Sequence, residues 1–84
     1  MELLLAKSKA GHDKNHIYVV VGEEKDAFFL ANGTTKKCQS PKKKKKIHVQ
    51  PIKHLASELT ELAFDKELDD DLVAEILNLY NRRD

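Results

Sequence analysis

The stretch KSKAGHDKNHIYVVV, residues 7–21, limits most strongly how this chain of 84 residues can fold. Residues 17–21 have the β-branched and aromatic composition of a strand, and the apolar residues 3–5 predict a shorter strand before them. Gly11 adopts a positive φ without strain, and Asn15 belongs to the non-glycine type that tolerates it best. Two sharp backbone reversals therefore fit between the strands, and the stretch predicts strand, loop, strand.

The loop between these two strands is basic. Lys7, Lys9 and Lys14 lie on or beside it, together with His12 and His16. Backbone N–H groups exposed in a tight turn and ammonium groups both suit phosphate oxygens, and neither selects a particular base. The loop therefore predicts a phosphate-binding element, in which the histidines can add a stacking or hydrogen-bonding contact to RNA.

Further short strands are predicted after this stretch. Residues 22–26 are typical of a turn, and residues 27–31 (AFFLA) have strand composition. The Asn-Gly pair at 32–33 is a strong hairpin signal, so residues 34–38 are predicted to return as a fourth strand. A fifth strand is predicted at 47–49. Short strands with short turns favour a small twisted antiparallel barrel over a sandwich, which needs more strands.

Five consecutive lysines, residues 42–46, follow Pro41. Adjacent ammonium groups repel one another and cannot be buried, so we expect this segment to be extended and mobile until an anion screens it. It is either a solubilising loop or an electrostatic contact with nucleic-acid phosphate. Its place in the same small barrel as the basic loop favours the phosphate contact. A nuclear-localisation signal is a further reading of any lysine block, but nothing else in the sequence supports it.

The apolar pattern changes to helical spacing in the last third of the chain, in residues 55–63 and 72–80. Aspartates at 69–71 suit the N-terminus of the second helix, and Arg82 and Arg83 suit its last turn. A lone helix with such an apolar stripe is unstable in water, so the helices must pack on each other, on the barrel or on a partner. Packing within the chain is favoured, because so short a chain needs all of its core.

The two parts of the chain also differ in charge. Residues 1–54 contain 12 lysines against 5 acidic residues, a net +7, whereas residues 55–84 contain 3 basic against 9 acidic residues, a net −6. We therefore predict a basic β domain at 1–54 and an acidic two-helix appendage at 55–84.

No sequence pattern points to an enzyme. A placeable Ser-His-Asp set and a glycine-rich nucleotide loop are absent, and the four histidines lack the spacing of metal ligands. Cys38 has no second cysteine to pair with, and we expect it to be a half-buried strand residue in a reduced, cytoplasmic protein. The start of the chain lacks the pattern of a secretory signal, and no apolar stretch is long enough for a membrane span. We expect no enzyme activity, no cofactor, no bound metal and no membrane partner.

Residues 9–15 (KAGHDKN) followed by residues 18–21 (YVVV) resemble the KOW motif of ribosomal large-subunit proteins and transcription elongation factors. The similarity continues through Asn32-Gly33, Lys36-Lys37, Ser40-Pro41, the five lysines and Ile47-His48. Over about residues 2–54 the chain resembles small bacterial KOW-domain RNA-binding proteins, relatives of eukaryotic and archaeal large-subunit ribosomal proteins. The resemblance implies an SH3-like barrel of five strands. The family usually has glycine at the position of Asn15, which holds the left-handed conformation at some strain.

Two functions follow as expectations. The first is RNA binding, to ribosomal or another structured RNA, by a monomeric, mainly β protein: an SH3-like antiparallel barrel of the KOW type with a C-terminal helical tail. The second is a protein-interaction module of the transcription or translation machinery, with ribosomal or transcription proteins as partners of the acidic helical tail. The predicted RNA-binding residues are Lys7, Lys9, Gly11, His12, Lys14, Asn15, His16, Lys36, Lys37, Lys42, Lys43, Lys44, Lys45 and Lys46.

Overall fold

Five strands form one antiparallel sheet, and two helices follow it in the computed structural model, which describes residues 3–82. In chain order the elements are β1 (Leu5–Ser8), β2 (Ile17–Glu23), β3 (Ala27–Ala31), β4 (Lys42–Lys45), a 3-10 turn (Lys46–His48), β5 (Val49–Ile52), α1 (Ser57–Ala63) and α2 (Asp70–Arg82). The strand order across the sheet is β4-β3-β2-β1-β5. The antiparallel sheet and the C-terminal helices were predicted, and the fold as a whole is mixed and sheet-rich.

The predicted strand at 34–38 is wrong. These residues form bends and a turn, because the side chain of Asn32 organises the chain locally. Its Oδ1 accepts hydrogen bonds from the backbone N–H groups of Thr34 (3.0 Å) and Lys36 (2.8 Å), which replaces a hairpin ladder. The backbone N–H of Cys38 then donates to Asp70 Oδ1 at 2.7 Å, which holds this segment against α2. Cys38 is half-buried as expected but lies in a turn, not in a strand.

The lysine run supplies the fourth strand. β4 pairs with β3 from Leu30 opposite Lys42 to Ala27 opposite Lys45, so the expectation of a mobile segment is wrong. The assumption that these ammonium groups cannot be buried also fails, since the Lys44 side chain is only 11% exposed. Alternating side chains and nearby carboxylates relieve the repulsion that the sequence pattern implied.

The other strands differ from the prediction at their ends. β3 covers the predicted residues 27–31, while β2 runs two residues beyond 21, with an irregular register between Val20 and Gly22. β1 begins at Leu5, where pairing with both β2 and β5 begins. The predicted fifth strand at 47–49 starts only at Val49, because residues 46–48 form the 3-10 turn.

The two faces of the sheet bury separate apolar clusters. The inner face holds Ala6, Tyr18, Val20, Phe28, Leu30 and Val49, with Leu4 packed against them. On the outer face Leu5 and Val19 pack with residues of both helices: Leu59, Leu72, Val73, Ile76 and Leu77. The helices therefore pack on the sheet, which confirms the predicted packing within the chain. Each fully buried leucine or isoleucine of this cluster contributes about 1.5–3 kcal/mol.

The aspartates at the start of α2 act as predicted. Asp69 Oδ1 accepts a hydrogen bond from the backbone N–H of Leu72 at 2.8 Å, which caps the helix. Arg82 lies in the last turn, and Arg83 is outside the described residues. No helix within residues 3–82 has both the length and the apolar character that crossing a membrane requires.

Gly33 brings the segment after β3 into direct contact with α2. Its φ is +80°, and a Cβ placed there would lie 2.3 Å from the Asp70 carbonyl oxygen and 3.0 Å from the Ala74 nitrogen. Only glycine permits so close an approach of two backbones. The segment and the helix consequently line one cleft together.

Candidate nucleic-acid interface

The KOW-like loop, residues 9–16, has the backbone that its sequence predicts. Gly11 has φ 85° and Asn15 has φ 75°, so both reversals occur at the predicted positions. The backbone N–H of Asn15 donates to the Ser8 carbonyl at 2.8 Å, and that of His16 donates to the Asp13 carbonyl at 2.9 Å. These bonds fix the loop internally.

Asp13 is the centre of a buried polar cluster beneath this loop, and it is 6% exposed. Its Oδ1 accepts hydrogen bonds from the Ser8 hydroxyl at 2.9 Å and from Lys44 Nζ at 2.8 Å. Its Oδ2 accepts from Lys42 Nζ at 2.7 Å and from the Tyr18 hydroxyl at 3.2 Å. One carboxylate thus joins the loop to β1, β2 and β4.

Burial and hydrogen bonding together set the charge states of Asp13 and Tyr18 in this cluster. Burial alone would raise the pKa of the Asp13 carboxyl, but hydrogen bonds from Lys42, Lys44 and Ser8 outweigh it and hold that pKa well below its usual range. Burial, with the charge of Asp13 and the hydrogen bond to it, raises the pKa of Tyr18 to about 12. The aspartate is therefore charged and the tyrosine protonated at neutral pH.

The lysine run is largely paired internally. Besides the contacts to Asp13, Lys44 Nζ donates to the Ala10 carbonyl at 2.8 Å, which ties β4 to the loop backbone. Lys43 Nζ lies 3.0 Å from Glu24 and 6.0 Å from the centre of the Phe29 ring. The remaining two lysines differ: Lys46 pairs with Glu23 and lies 5.0 Å from the Phe28 ring, whereas Lys45 makes no salt bridge within residues 3–82.

The predicted loop cations face solvent. Lys7, Lys9 and Lys14 are exposed, as are His12 and His16. None of the three lysines forms a salt bridge with any described residue. The loop backbone is nevertheless anchored to the 3-10 turn, because the Lys9 backbone N–H donates a hydrogen bond to the His48 carbonyl at 2.8 Å.

Lys36 and Lys37 lie in a second loop, residues 32–41, which faces the KOW-like loop across a cleft of about 420 Å³. Asn15 and His16 line one side of that cleft, and Asn32 and Thr34 line another. Two of the three predicted basic segments thus border one cleft through these residues, but none of their lysines lines it. In the third segment, the lysine run, Lys42 and Lys44 contact Asp13 of the KOW-like loop.

The sequence interpretation missed Asp13, Ser8 and Tyr18. An aspartate in a loop with three lysines signals an ion pair, but its partners lie 29 and 31 residues away, and nothing in the local pattern selects them. No group of three or more His, Cys, Asp or Glu side chains within residues 3–82 is arranged to hold a metal ion. Exposed ammonium groups such as those of Lys9 and Lys14 can donate hydrogen bonds to an anion.

No family model and no curated protein sequence matches the chain. The resemblance to KOW domains stays a prediction.

Proposed function

We propose that this chain is an RNA-binding protein of the KOW type that contacts phosphate through the KOW-like loop and the lysines near it. One observation carries the proposal: Asp13 fixes the loop with Lys42 and Lys44, while Lys9 and Lys14 form no salt bridge with any residue that the structure describes. Ammonium groups on a rigid backbone, with the neighbouring buried carboxylate already neutralised, form a site for an external anion.

The proposal divides the predicted contacts into two roles. Lys42 and Lys44 position the loop, and Lys43 and Lys46 are held by glutamates. Among the predicted RNA-binding residues, the lysines without a salt bridge to a described residue are then the phosphate contacts: Lys7, Lys9, Lys14, Lys36, Lys37 and Lys45. If all six act, the logarithm of affinity falls with the logarithm of salt concentration at a slope of about −4 to −5.

An SH3-like barrel is part of the same proposal. Tyr18, Phe28 and Leu30 on the inner face are 3%, 6% and 0% exposed, yet their cluster contains no helix residue. A sheet face that is buried without a covering layer implies that the sheet curls onto itself. The edge strands β4 and β5 are also consecutive, joined only by the 3-10 turn, which favours their approach.

The target that the resemblance implies is ribosomal or another structured RNA, in a cytoplasmic ribonucleoprotein. Electrostatic contact with phosphate is indifferent to sequence, so the rigid presentation of the lysines supports recognition of backbone shape rather than of base order.

The test is the double substitution Lys9→Glu with Lys14→Glu in the full chain, with Lys25→Glu and Lys66→Glu as a matched control on exposed lysines elsewhere. Mobility-shift titrations against structured ribosomal RNA over a salt series should show affinity at least about tenfold lower and a shallower slope for the loop variant. Its free energy of unfolding should change little, because exposed charges contribute little to stability. Equal affinity of loop variant and wild type would remove the loop from the site, and a flat salt response of the wild type would refute RNA binding.

A second candidate function is protein docking, and Phe64 favours it. This side chain is 79% exposed at the end of α1. It borders a groove of about 620 Å³ that is lined by apolar residues (Leu3, Leu55 and Ala63) and by polar ones (Lys53, Thr60 and Asp65). An exposed aromatic residue beside a partly apolar groove is typical of an interaction surface.

The two candidates are separable by substitution. Deleting the helices is unsuitable, because they share a core with Leu5 and Val19 of the sheet. The assay measures how much of this protein is retained on immobilised ribosomal or transcription proteins that have been purified and treated with nuclease. If docking is the function, we expect Phe64→Ala to be retained less than the wild type while its RNA affinity stays the same. If the Lys9→Glu, Lys14→Glu variant loses retention and Phe64→Ala keeps it, the result would instead support RNA as the partner.

A further inference from the structure

The cleft between the two basic loops has a third wall, which is helix α2, and no lysine, arginine, aspartate or glutamate lines it. The residues with polar side-chain groups that line it are Asn15, His16, Tyr18, Asn32, Thr34, Asn78 and Asn81. The chain contains four asparagines, and all four lie here although they come from three separate segments. The fold therefore gathers every side-chain amide of the asparagine type into one place.

The face that α2 turns toward this cleft differs from the rest of the acidic half of the chain. Ala74, Leu77, Asn78 and Asn81 line the cleft at helical spacing, and none is acidic. Exposed carboxylates of the same helix, such as Glu75, are not among the lining residues. A polyanion bound at the basic loops thus meets amides rather than carboxylates on this wall.

One of the four asparagine side chains makes hydrogen bonds within the protein, and the other three are available to bond with a ligand. Asn32 is occupied, since its Oδ1 accepts from Thr34 and Lys36 and its Nδ2 donates to Thr35 at 3.0 Å. The side-chain amides of Asn15, Asn78 and Asn81 have no hydrogen-bond partner among the described residues, and all three residues are exposed. Each offers both donors and an acceptor to a ligand. Three uncommitted amides are more than the internal structure of the chain requires.

The lining also limits the class of ligand. No lysine or arginine lines the cleft, so it offers a free anion no ammonium or guanidinium group. Ile17 and Leu77 add an apolar surface, and about 420 Å³ lies within the usual range of about 300–1,000 Å³ for ligand pockets. Amides that donate and accept beside an apolar surface match the edges and faces of an unpaired nucleobase.

We propose that this cleft receives an unpaired nucleobase of an RNA strand whose phosphates lie on the lysines of the two flanking loops. The inference rests on the proposed RNA binding and extends it from backbone contact to base contact. Lys14 precedes Asn15 in the chain, and Lys36 and Lys37 follow Thr34 within three residues, so lysines adjoin the cleft-lining residues of both flanking loops.

The experiment compares a cleft variant with a matched amide variant. The cleft variant is Asn78→Ala with Asn81→Ala, and the control is Gln39→Ala with Gln50→Ala, two exposed amides outside the cleft. Alanine has the higher helix propensity, so the cleft variant should fold at least as well as the wild type. The probes are four single-stranded homopolymer RNA oligonucleotides and an abasic oligomer of the same length and charge.

We expect the wild type and the control to bind at least one homopolymer about tenfold more tightly than the abasic oligomer, which corresponds to one pair of base-edge hydrogen bonds. In the cleft variant this ratio should fall to about one, while the salt slope stays that of the wild type. A wild type that binds the abasic oligomer as tightly as every homopolymer, or a cleft variant that keeps its preference, overturns the base contact and leaves RNA binding standing. Absence of salt-dependent binding to every one of these single-stranded probes overturns the base contact, and its absence with structured ribosomal RNA as well overturns the proposed function itself.

Discussion

The KOW-like loop and strand β4 are the two lysine-rich regions of this protein, and they use their lysines in opposite ways. The five lysines at 42–46 are the denser cluster in sequence, yet four of them form salt bridges with Asp13, Glu23 or Glu24. The lysines of the loop and its approach are scattered among other residues, and none forms a salt bridge within residues 3–82. Charge density along a sequence therefore does not measure the charge that is available at the surface.

The difference arises from how each segment is held in place: the strand by its lysine side chains, and the loop by its backbone hydrogen bonds. In a strand, alternate side chains point to opposite faces, so Lys42 and Lys44 both reach the buried carboxylate of Asp13 while Lys43 reaches Glu24. In the loop, the backbone hydrogen bonds of Asn15 and His16 hold the conformation, and Lys9 and Lys14 form no salt bridge with a described residue. Under the proposed function, the strand supports the loop and the loop lysines bind external phosphate.

The largest effect should come from Asp13→Asn. The substitution removes the negative charge that two lysines face, and Lys44 would remain 11% exposed with no carboxylate beside it. Leaving a buried charge without its partner costs about 3 kcal/mol or more of the free energy of unfolding. Urea denaturation of the variant and the wild type at neutral pH measures this loss.

The control for that measurement is Asp26→Asn. Asp26 is exposed in the turn between β2 and β3, so its charge should contribute less than about 0.5 kcal/mol. If Asp13→Asn lowers the free energy of unfolding as little as Asp26→Asn does, Asp13 does not hold β4 in place. The proposed difference between the strand lysines and the loop lysines would then be wrong.

Acid should weaken the same contact. The pKa of Asp13 is lower in the folded protein than in the unfolded chain, so the folded state binds fewer protons. The stability that Asp13 contributes is present in full above the unfolded pKa of about 3.9 and is lost as the pH falls through and below that value. Urea midpoints between about pH 5 and pH 2 should therefore fall more steeply for the wild type than for Asp13→Asn. Parallel curves for the two proteins would contradict the assigned pKa shift.

Within β4, adjacent lysines should respond differently to one change. Lys44→Met removes hydrogen bonds to Asp13 and to the Ala10 carbonyl and should cost about 2 kcal/mol. Lys45→Met, one residue further along, should cost less than about 0.5 kcal/mol, because Lys45 is exposed and has no salt bridge among the described residues. Thermal or urea unfolding of the pair gives the comparison, and equal losses would show that strand propensity, rather than the aspartate, governs this segment.

Much of the fold was predictable from local pattern. The positive φ angles of Gly11 and Asn15, the strand at 27–31 and the cap at Asp69 each depend on residues close together in sequence. The same is true of the apolar spacing that predicted both helices. Local rules succeed where the interaction that decides the conformation is itself local.

The failures share the opposite cause. The lysine run became a strand because Asp13, some thirty residues earlier, accepts hydrogen bonds from two of its ammonium groups. The residues after Asn32 left the expected hairpin because the Asn32 side chain and Asp70 bind their backbone. In the candidate site, the loop lysines and histidines were predictable from their composition, but the amides of α2 were not, since only the packed fold brings them to the loop.

The smallest effect is expected for Asn15→Gly, at the position where the chain departs from the KOW pattern. With φ 75°, Asn15 bears the strain of a Cβ in the left-handed region, which glycine relieves. Glycine also gives the unfolded chain more freedom, so the two changes oppose each other and the free energy of unfolding should shift by less than about 0.5 kcal/mol. The hydrogen bond from this backbone N–H to the Ser8 carbonyl persists in either case. Urea unfolding measures the shift, and a loss of more than about 1 kcal/mol would mean that the loop depends on the asparagine side chain and not only on its backbone angle.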